Sequence, residues 1–236
     1  MHKKLSNLSK EDFESGVVLL INKEINWTSF DVVKKIKNLL KEKFRLKKIK
    51  VGHAGTLDPL ATGLLVICTG KSTKMISEIQ NQKKKYTGEL TMGATTPSYD
   101  LETEINNRYD ISNISESDIS SKTKLFIGEV FQKPPIFSAI KVKGERLYEK
   151  ARRGEKINIK KRKITVYNFK LTKILLPKIH FIIECSKGTY IRSIAHDFGK
   201  SLNSGAHLSK LVRTKIGEFD LKDAKSIIEF ENELNQ

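Results

Sequence analysis

VGHAGTLDPLATGLLVICT, residues 51–69, carries two readings side by side. Its first part, residues 51–63, is a loop by composition, with Gly52, Gly55 and Gly63 around an Asp58-Pro59 pair. Its second part, Leu64 to Thr69, is an apolar run of strand length and reads as a buried strand. The glycines let the loop pass close to a ligand. Pro59 disfavours the helical region for the residue before it and holds Asp58 extended. A carboxylate on the free tip of an anchored loop suits chemistry. The commoner fate of such a dipeptide is an Asx-type turn, and this stretch alone leaves both open.

Working outward, Gly16 to Lys23 (GVVLLINK) reads as a second buried strand. Thr28 and Ser29 then cap a helix with Asp31 in its first turn. Val32, Val33, Ile36, Leu39, Leu40 and Phe44 form its apolar stripe, with lysines opposite. Downstream, a helix is expected over Lys71 to Gln80, opened by Ser72-Thr73, and a strand over Lys85 to Gly93. Glu104 to Ser121 is rich in Asn, Ser and acids and reads as the least structured stretch. Phe126 to Val130 leads into the stiff Lys133-Pro134-Pro135. Ile164 to Ile174 and Ile179 to Ser186 are strands parted by a turn at Pro177. Thr189 to Leu202 is a helix with Ile191, Ile194, Ala195 and Phe198 on one face, ended by Gly205. Strands and helices mix without strict alternation. This implies an α+β fold around a mixed, largely antiparallel central sheet flanked by helices and loops.

The chain has 236 residues, against a prior of roughly 150 per domain. Lys and Arg total 44 and Asp and Glu 27, a net charge of +17, and such a surplus points to a polyanionic partner, nucleic acid before a membrane surface. The charge is concentrated. Lys34 to Lys50 holds nine bases against Glu42, and Lys141 to Lys163 holds eleven against Glu145, Glu149 and Glu155. Two basic faces suit a folded RNA backbone, where phosphate contacts supply affinity; a solvated lysine-rich surface is the plainer alternative. No apolar run approaches the roughly 18 residues of a membrane span, and the charged N-terminus does not read as a signal peptide. Cys68 and Cys185 lie far apart in apolar segments, as reduced cytosolic thiols would.

Elimination narrows the chemistry. There is no GxGxxG after a strand and no GxxxxGK[ST] phosphate loop. GxSxG is absent as well. His2, His53, His180, His196, His207 and the two cysteines never fall at metal-ligand spacing. A reaction without metal or cofactor, or binding alone, is the expectation.

The string GHAGTLDPLATGLL resembles the signature of the TruB family of tRNA pseudouridine synthases. GVVLLINKEINWTSFDVV, KKKYTGELTMGATTPSYDLE, QKPPIFSAIKVKGERLYEKARRG, CSKGTYIRSIAHDFG and GAHLSKLVRTKIGEF resemble further family blocks in the family's order, over roughly Gly16 to Ala224. The resemblance implies the pseudouridine synthase fold and isomerisation of uridine at position 55 of the tRNA T loop, without a cofactor and in the cytoplasm. It implies tRNA, through its T arm, as partner, with no membrane and no protein partner. By the same resemblance Asp58 is the catalytic aspartate, Tyr86 stacks on the base, and Arg192 pairs with the catalytic carboxylate. Leu211 lines the pocket, His53 helps accommodate the flipped nucleotide, and Lys23 and Tyr190 support them. The expected organisation is an N-terminal extension at 1–15, a catalytic domain at 16–224 and a short tail at 225–236. Many members carry a C-terminal RNA-binding domain of the PUA type, and no full one is expected here, which would throw more of the affinity on the basic blocks. Two other readings are an RNA-binding or tRNA-folding module without turnover, and a synthase for a different RNA. A pure binder has no need of Asp58, Tyr86 and Arg192 together.

Overall fold

The computed structural model describes residues 5–142, 144–155 and 157–236. The first four residues of the N-terminal extension, and Lys143 and Lys156 of the second basic block, lie outside the described residues. In chain order the helices are α1 (Lys10–Ser15), α2 (Ser29–Lys43), α3 (Ile76–Asn81), α4 (Glu116–Lys122), α5 (Leu147–Arg152), α6 (Ile191–Ser201) and α7 (Ile227–Asn235). The strands are β1 (Val18–Lys23), β2 (Val51–His53), β3 (Ala61–Thr69), β4 (Lys84–Met92), β5 (Ala94–Thr95), β6 (Asn107–Arg108) and β7 (Gly128–Gln132). They continue with β8 (Lys141–Val142), β9 (Glu145–Arg146), β10 (Arg162–Leu175), β11 (Lys178–Cys185), β12 (Ala206–Ile216) and β13 (Phe219–Asp220). The chain groups into two compact units, one of residues 1–86 with 212–236, the other of residues 87–211.

In the first unit the strand order is β1-β3-β12, with β2 on β3 and β13 on β12. β1 and β3 are antiparallel, Lys23 facing Gly63 and Val18 facing Cys68. Leu65 and Ile67 of β3 join one buried cluster while Leu64, Val66 and Cys68 join another. Burial on both faces explains an unbroken apolar run where a half-exposed strand would alternate. α2 starts as its sequence demands: Thr28 and Asp31 close a capping box, and Val32, Val33, Ile36, Leu39 and Leu40 are buried. Phe44, which continues the stripe, sits half-exposed just past the helix, its ring 5.5 Å from Phe13.

The flanking segments are core. Leu5 and Phe13 from the start of the chain, and Ile227, Phe230 and Leu234 from α7, lie in the same cluster as the α2 stripe. Ser226 and Glu229 cap α7, and the spacing of its apolar residues makes one buried face. Residues 1–15 and 225–236, expected as an extension and a tail, therefore contribute packing through the described part of each.

In the second unit the strand order is β12-β4-β11-β10-β7. Phe169 of β10 meets Phe181 of β11 edge-on at 6.2 Å and Phe198 of α6 at 5.5 Å, which seats α6 on the sheet. The named registers are antiparallel and a parallel bridge joins Ile21 to Lys225, so the sheet is mixed and largely antiparallel within an α+β fold.

The largest departures from the sequence reading are in a loop, two helices and the stretch expected to be least structured. The loop expected over 51–63 shortens to residues 54–60, because Val51, Gly52 and His53 pair with Thr69, Cys68 and Ile67. The helix expected over Lys71 to Gln80 begins as a 3-10 segment at Gly70–Met75 and becomes α-helical only from Ile76. The stretch Glu104 to Ser121 holds β6 and most of α4, the latter capped by Ser115 and Asp118. α6 ends at Ser201 with Leu202 as its C-cap, and Asn203 supplies the left-handed residue (φ 51°) that Gly205 was expected to provide. Cys68 and Cys185 are both buried, in β3 and β11.

Candidate active site

The short loop between β2 and β3 is held by its main chain. From one side, buried Lys23 donates from Nζ to the carbonyls of Glu24 (2.9 Å), Trp27 (2.6 Å) and Pro59 (3.3 Å). Ser29, the first residue of α2, accepts from the Leu57 amide at 2.8 Å and donates back to the Leu57 carbonyl at 3.2 Å. From the other side, Arg213 of β12 spreads one guanidinium over three carbonyls: Leu64 (2.8 Å), Thr56 (3.3 Å) and Gly55 (2.8 Å). Arg213 is 1% exposed. Carbonyls on both sides of Asp58 are thus fixed by buried cations, and the Asp58 carbonyl itself accepts from Ala61 at 3.0 Å. Gly63 makes the close approach possible: it lies at φ 98°, and a Cβ there would come within 2.5 Å of the Arg213 carbonyl oxygen.

The electrostatics follow from burial. Desolvation pushes the Lys23 ammonium down to about 8, against the Asp58 carboxylate, which favours its charged form; Arg213 adds to the downward push. The Lys23–Asp58 attraction is mutual, so a half-exposed carboxylate sits on a rigid loop beside a buried cation that favours its ionised state. Burial, and then Arg213, lower the affinity of His53 for a proton, which keeps that imidazole neutral near pH 7. Tyr86, in β4, is 8% exposed. Lys23, His53, Asp58 and Tyr86 all belong to the first unit.

Arg192, Tyr190 and Leu211 belong to the second unit. Tyr190 caps α6, and the Gln132 amide clamps its main chain, donating to its carbonyl at 3.0 Å and accepting from its N–H at 2.8 Å. Ser193 donates to the Lys133 carbonyl at 2.8 Å. The start of α6 is therefore fixed to the QKPP segment. From it Arg192, 3% exposed, donates to the Ser98 carbonyl at 3.1 Å and lies 3.5 Å from the Asp100 carboxylate. Leu211 is 9% exposed on β12. Among the described residues no group of three His, Cys, Asp or Glu side chains could hold a metal ion.

Sequence reasoning passes over Arg213, Gln132 and Asp100, and takes Ser29 as a helix cap without its bonds to Leu57. A signal exists for the first. In HLSKLVRTKI, alternation puts Arg213 in phase with Leu211, on the buried face of the strand. A buried arginine there needs acceptors, and a glycine-rich loop offers main-chain carbonyls.

Residues 41–191 match the family described as TruB family pseudouridylate synthase (N terminal domain). The chain is similar to the tRNA pseudouridine synthase B of Flavobacterium johnsoniae, 58% identical over 228 residues, which cover 96% of this chain and 100% of that protein. It is similar to the protein of the same name from Phocaeicola vulgatus, 48% identical over 225 residues, covering 95% of this chain and 96% of that one. Among solved structures, a Cbf5-Nop10-Gar1 complex matches with a TM-score of 0.70 at 26% identity, over 98% of this chain and 58% of that chain. An H/ACA RNP bound to a substrate RNA containing 2'-deoxyuridine matches with a TM-score of 0.68 at 25% identity, over 93% of this chain and 53% of that one. The chain spans little more than half the length of the chains in these two structures.

Proposed function

Because this chain belongs to the TruB family of pseudouridylate synthases, we propose that it acts on position 55 of the tRNA T loop with Asp58 as the nucleophile. The coarser activity is that of a tRNA pseudouridine synthase, an isomerase. The reaction breaks the bond from N1 of uracil to the ribose, turns the base, and joins C5 to the same ribose carbon. The proton lost from C5 is matched by one gained at N1, so no oxidant, reductant or cofactor enters the balance. The observation that carries the proposal is the half-exposed Asp58 carboxylate on a loop whose main chain is pinned by Lys23, Ser29 and Arg213. Such fixing spares the reaction the cost of ordering its nucleophile.

The other roles are proposed on the family pattern. The target base must leave its stack to be reached. Tyr86 is its stacking face, Leu211 an apolar wall, and neutral His53 helps to accommodate the nucleotide. Arg192 serves the catalytic carboxylate, Lys23 supports the loop, and Tyr190 sets the start of α6. The catalytic function spans residues 16–224, and the place of action is the cytoplasm, where tRNA is met. Among the described residues no helix is long and apolar enough to cross a membrane. Incubation with unmodified tRNA followed by mapping of pseudouridine tests the proposal. Modification confined to position 55 is expected; modification elsewhere, or none, overturns it.

We also propose that the two basic blocks hold the T arm. In the first, Lys34, Lys37, Lys43, Lys47, Lys48 and Lys50 are exposed. In the second, Lys150 and Arg153 are tied to Glu145 and Glu155, and Arg152 to Glu102. Lys160, Lys161, Arg162 and Lys163 are exposed beyond that network, with Lys163 2.9 Å from Glu129. Replacing these four by Gln is expected to weaken tRNA binding and flatten its salt dependence, by about 0.7 to 0.9 in log–log slope for each phosphate no longer neutralised. Lys163, already facing a carboxylate, contributes least. The single-turnover rate at saturating tRNA is expected to hold, since these side chains would grip backbone rather than base. Titrations at several salt concentrations decide it, and an unchanged slope removes the block from tRNA binding.

A further inference from the structure

Tyr99 is the residue of the second unit that its own backbone least explains. It lies at φ 67°, in the left-handed region that a bulky side chain rarely enters. Such a conformation persists where the surroundings over-determine it. They do so here. The Tyr99 ring stacks on His196 of α6, centroids 3.8 Å apart and planes 13° from parallel. The Tyr99 carbonyl accepts from the Leu208 amide at 2.9 Å, and its own N–H closes a turn on the Thr96 carbonyl at 3.2 Å. Buried Thr96 and Ser98 both donate to the Asp100 carbonyl, at 2.6 and 3.2 Å.

The neighbours of Tyr99 in the chain, Ser98 and Asp100, are the two residues that hold Arg192. His196 stands four positions after Arg192 on α6, one turn along the same face. The loop therefore grips the helix twice, through polar groups at Arg192 and through an aromatic face at His196. His196 joins this grip through its ring face: its Nδ1 is buried with no hydrogen-bond partner among the described residues. Burial, with the Lys200 charge nearby, also holds its proton affinity down to about 4, so the ring is neutral at working pH. Against the phenol ring this imidazole acts as a packing element.

We propose that the Tyr99–His196 stack is a positioning device for Arg192, fixing the Thr96–Asp100 loop against α6 and so setting the direction of the guanidinium. The proposal rests on the reading that Arg192 serves the reaction. Tyr99 and His196 are positioning residues and touch no reacting atom. A displacement of about 1 Å at a catalytic group can cost on the order of 100-fold in rate, so a small shift of this loop has a visible consequence.

The test compares Tyr99→Gly, Tyr99→Phe, Arg192→Gln and the double variant Tyr99→Gly/Arg192→Gln in single-turnover assays with unmodified tRNA, alongside tRNA affinity. Tyr99→Gly keeps the left-handed backbone at no steric cost while deleting the ring. It is expected to lose at least about 10-fold in rate with tRNA affinity changed less than about twofold, and Tyr99→Phe is expected to regain the rate. The double variant is expected to be no slower than Arg192→Gln, because the ring acts through the arginine. His196→Leu approaches the same stack from the helix and is expected to match Tyr99→Gly, so the test survives poor folding of either variant. A wild-type rate in both Tyr99→Gly and His196→Leu overturns the proposal, as do losses that multiply in the double variant. If Arg192→Gln keeps the wild-type rate, the role of Arg192 falls first and the positioning proposal falls with it.

Discussion

Asp58→Asn is expected to abolish pseudouridine formation and leave tRNA affinity equal or slightly higher. The substitution keeps the size of the side chain and removes its charge. It should leave the loop in place, because the loop is held by bonds to the carbonyls of Gly55, Thr56 and Pro59 and to both main-chain groups of Leu57, none of which the carboxylate makes. Removing a negative charge from a strongly basic protein favours a polyanion. A built-in control accompanies the change. The Asp58 carboxylate raises the proton affinity of Lys23, so in the variant Lys23 should titrate below its value of about 8. A clean preparation that still forms pseudouridine would end the assignment of Asp58 as nucleophile.

Arg213→Met has the second largest expected effect, and it acts through the fold. The guanidinium satisfies the carbonyls of Gly55, Thr56 and Leu64, and methionine satisfies none of them. Leaving buried polar groups without partners costs about 1–3 kcal/mol each, so a loss of roughly 3–5 kcal/mol in stability is expected, partly relieved where water reaches the loop. The loop that carries Asp58 also loses one of its anchors, and the single-turnover rate is expected to fall at least about 10-fold. Arg213→Lys should recover little, since one ammonium cannot reproduce a planar fork across three acceptors. The loss of charge has a sign that can be read separately: Arg213 lowers the proton affinity of both Lys23 and His53, so both should titrate higher in Arg213→Met. Denaturant unfolding with rate measurements on the same preparation checks the prediction. Stability within about 1 kcal/mol of the parent together with an unchanged rate would show that the loop stands without its clamp.

What could be read along the chain was whatever local chemistry decides. Thr28 with Asp31 and the stripe from Val32 to Leu40 specify α2, its start and its buried face, because a cap and a helical period act within a few residues. The apolar run after Gly63 specifies a buried strand for the same reason, while the GHAGTLDPLATGLL string offers Asp58 as a candidate only through its resemblance to the family signature. Tertiary structure decided the remainder. The described segments around α1 and α7 are core because Phe13 and Phe230 find the α2 face, a match between segments far apart in sequence that no short window contains. The alternation in HLSKLVRTKI puts Arg213 on a buried face, but only the fold brings it over the three carbonyls that satisfy it. Tyr99 and His196 are an ordinary loop residue and an ordinary helix residue until their rings meet at 3.8 Å. Capping, periodicity and backbone preference are short-range and survive in the sequence; the satisfaction of a buried charge and the stacking of two rings depend on partners that only folding brings together.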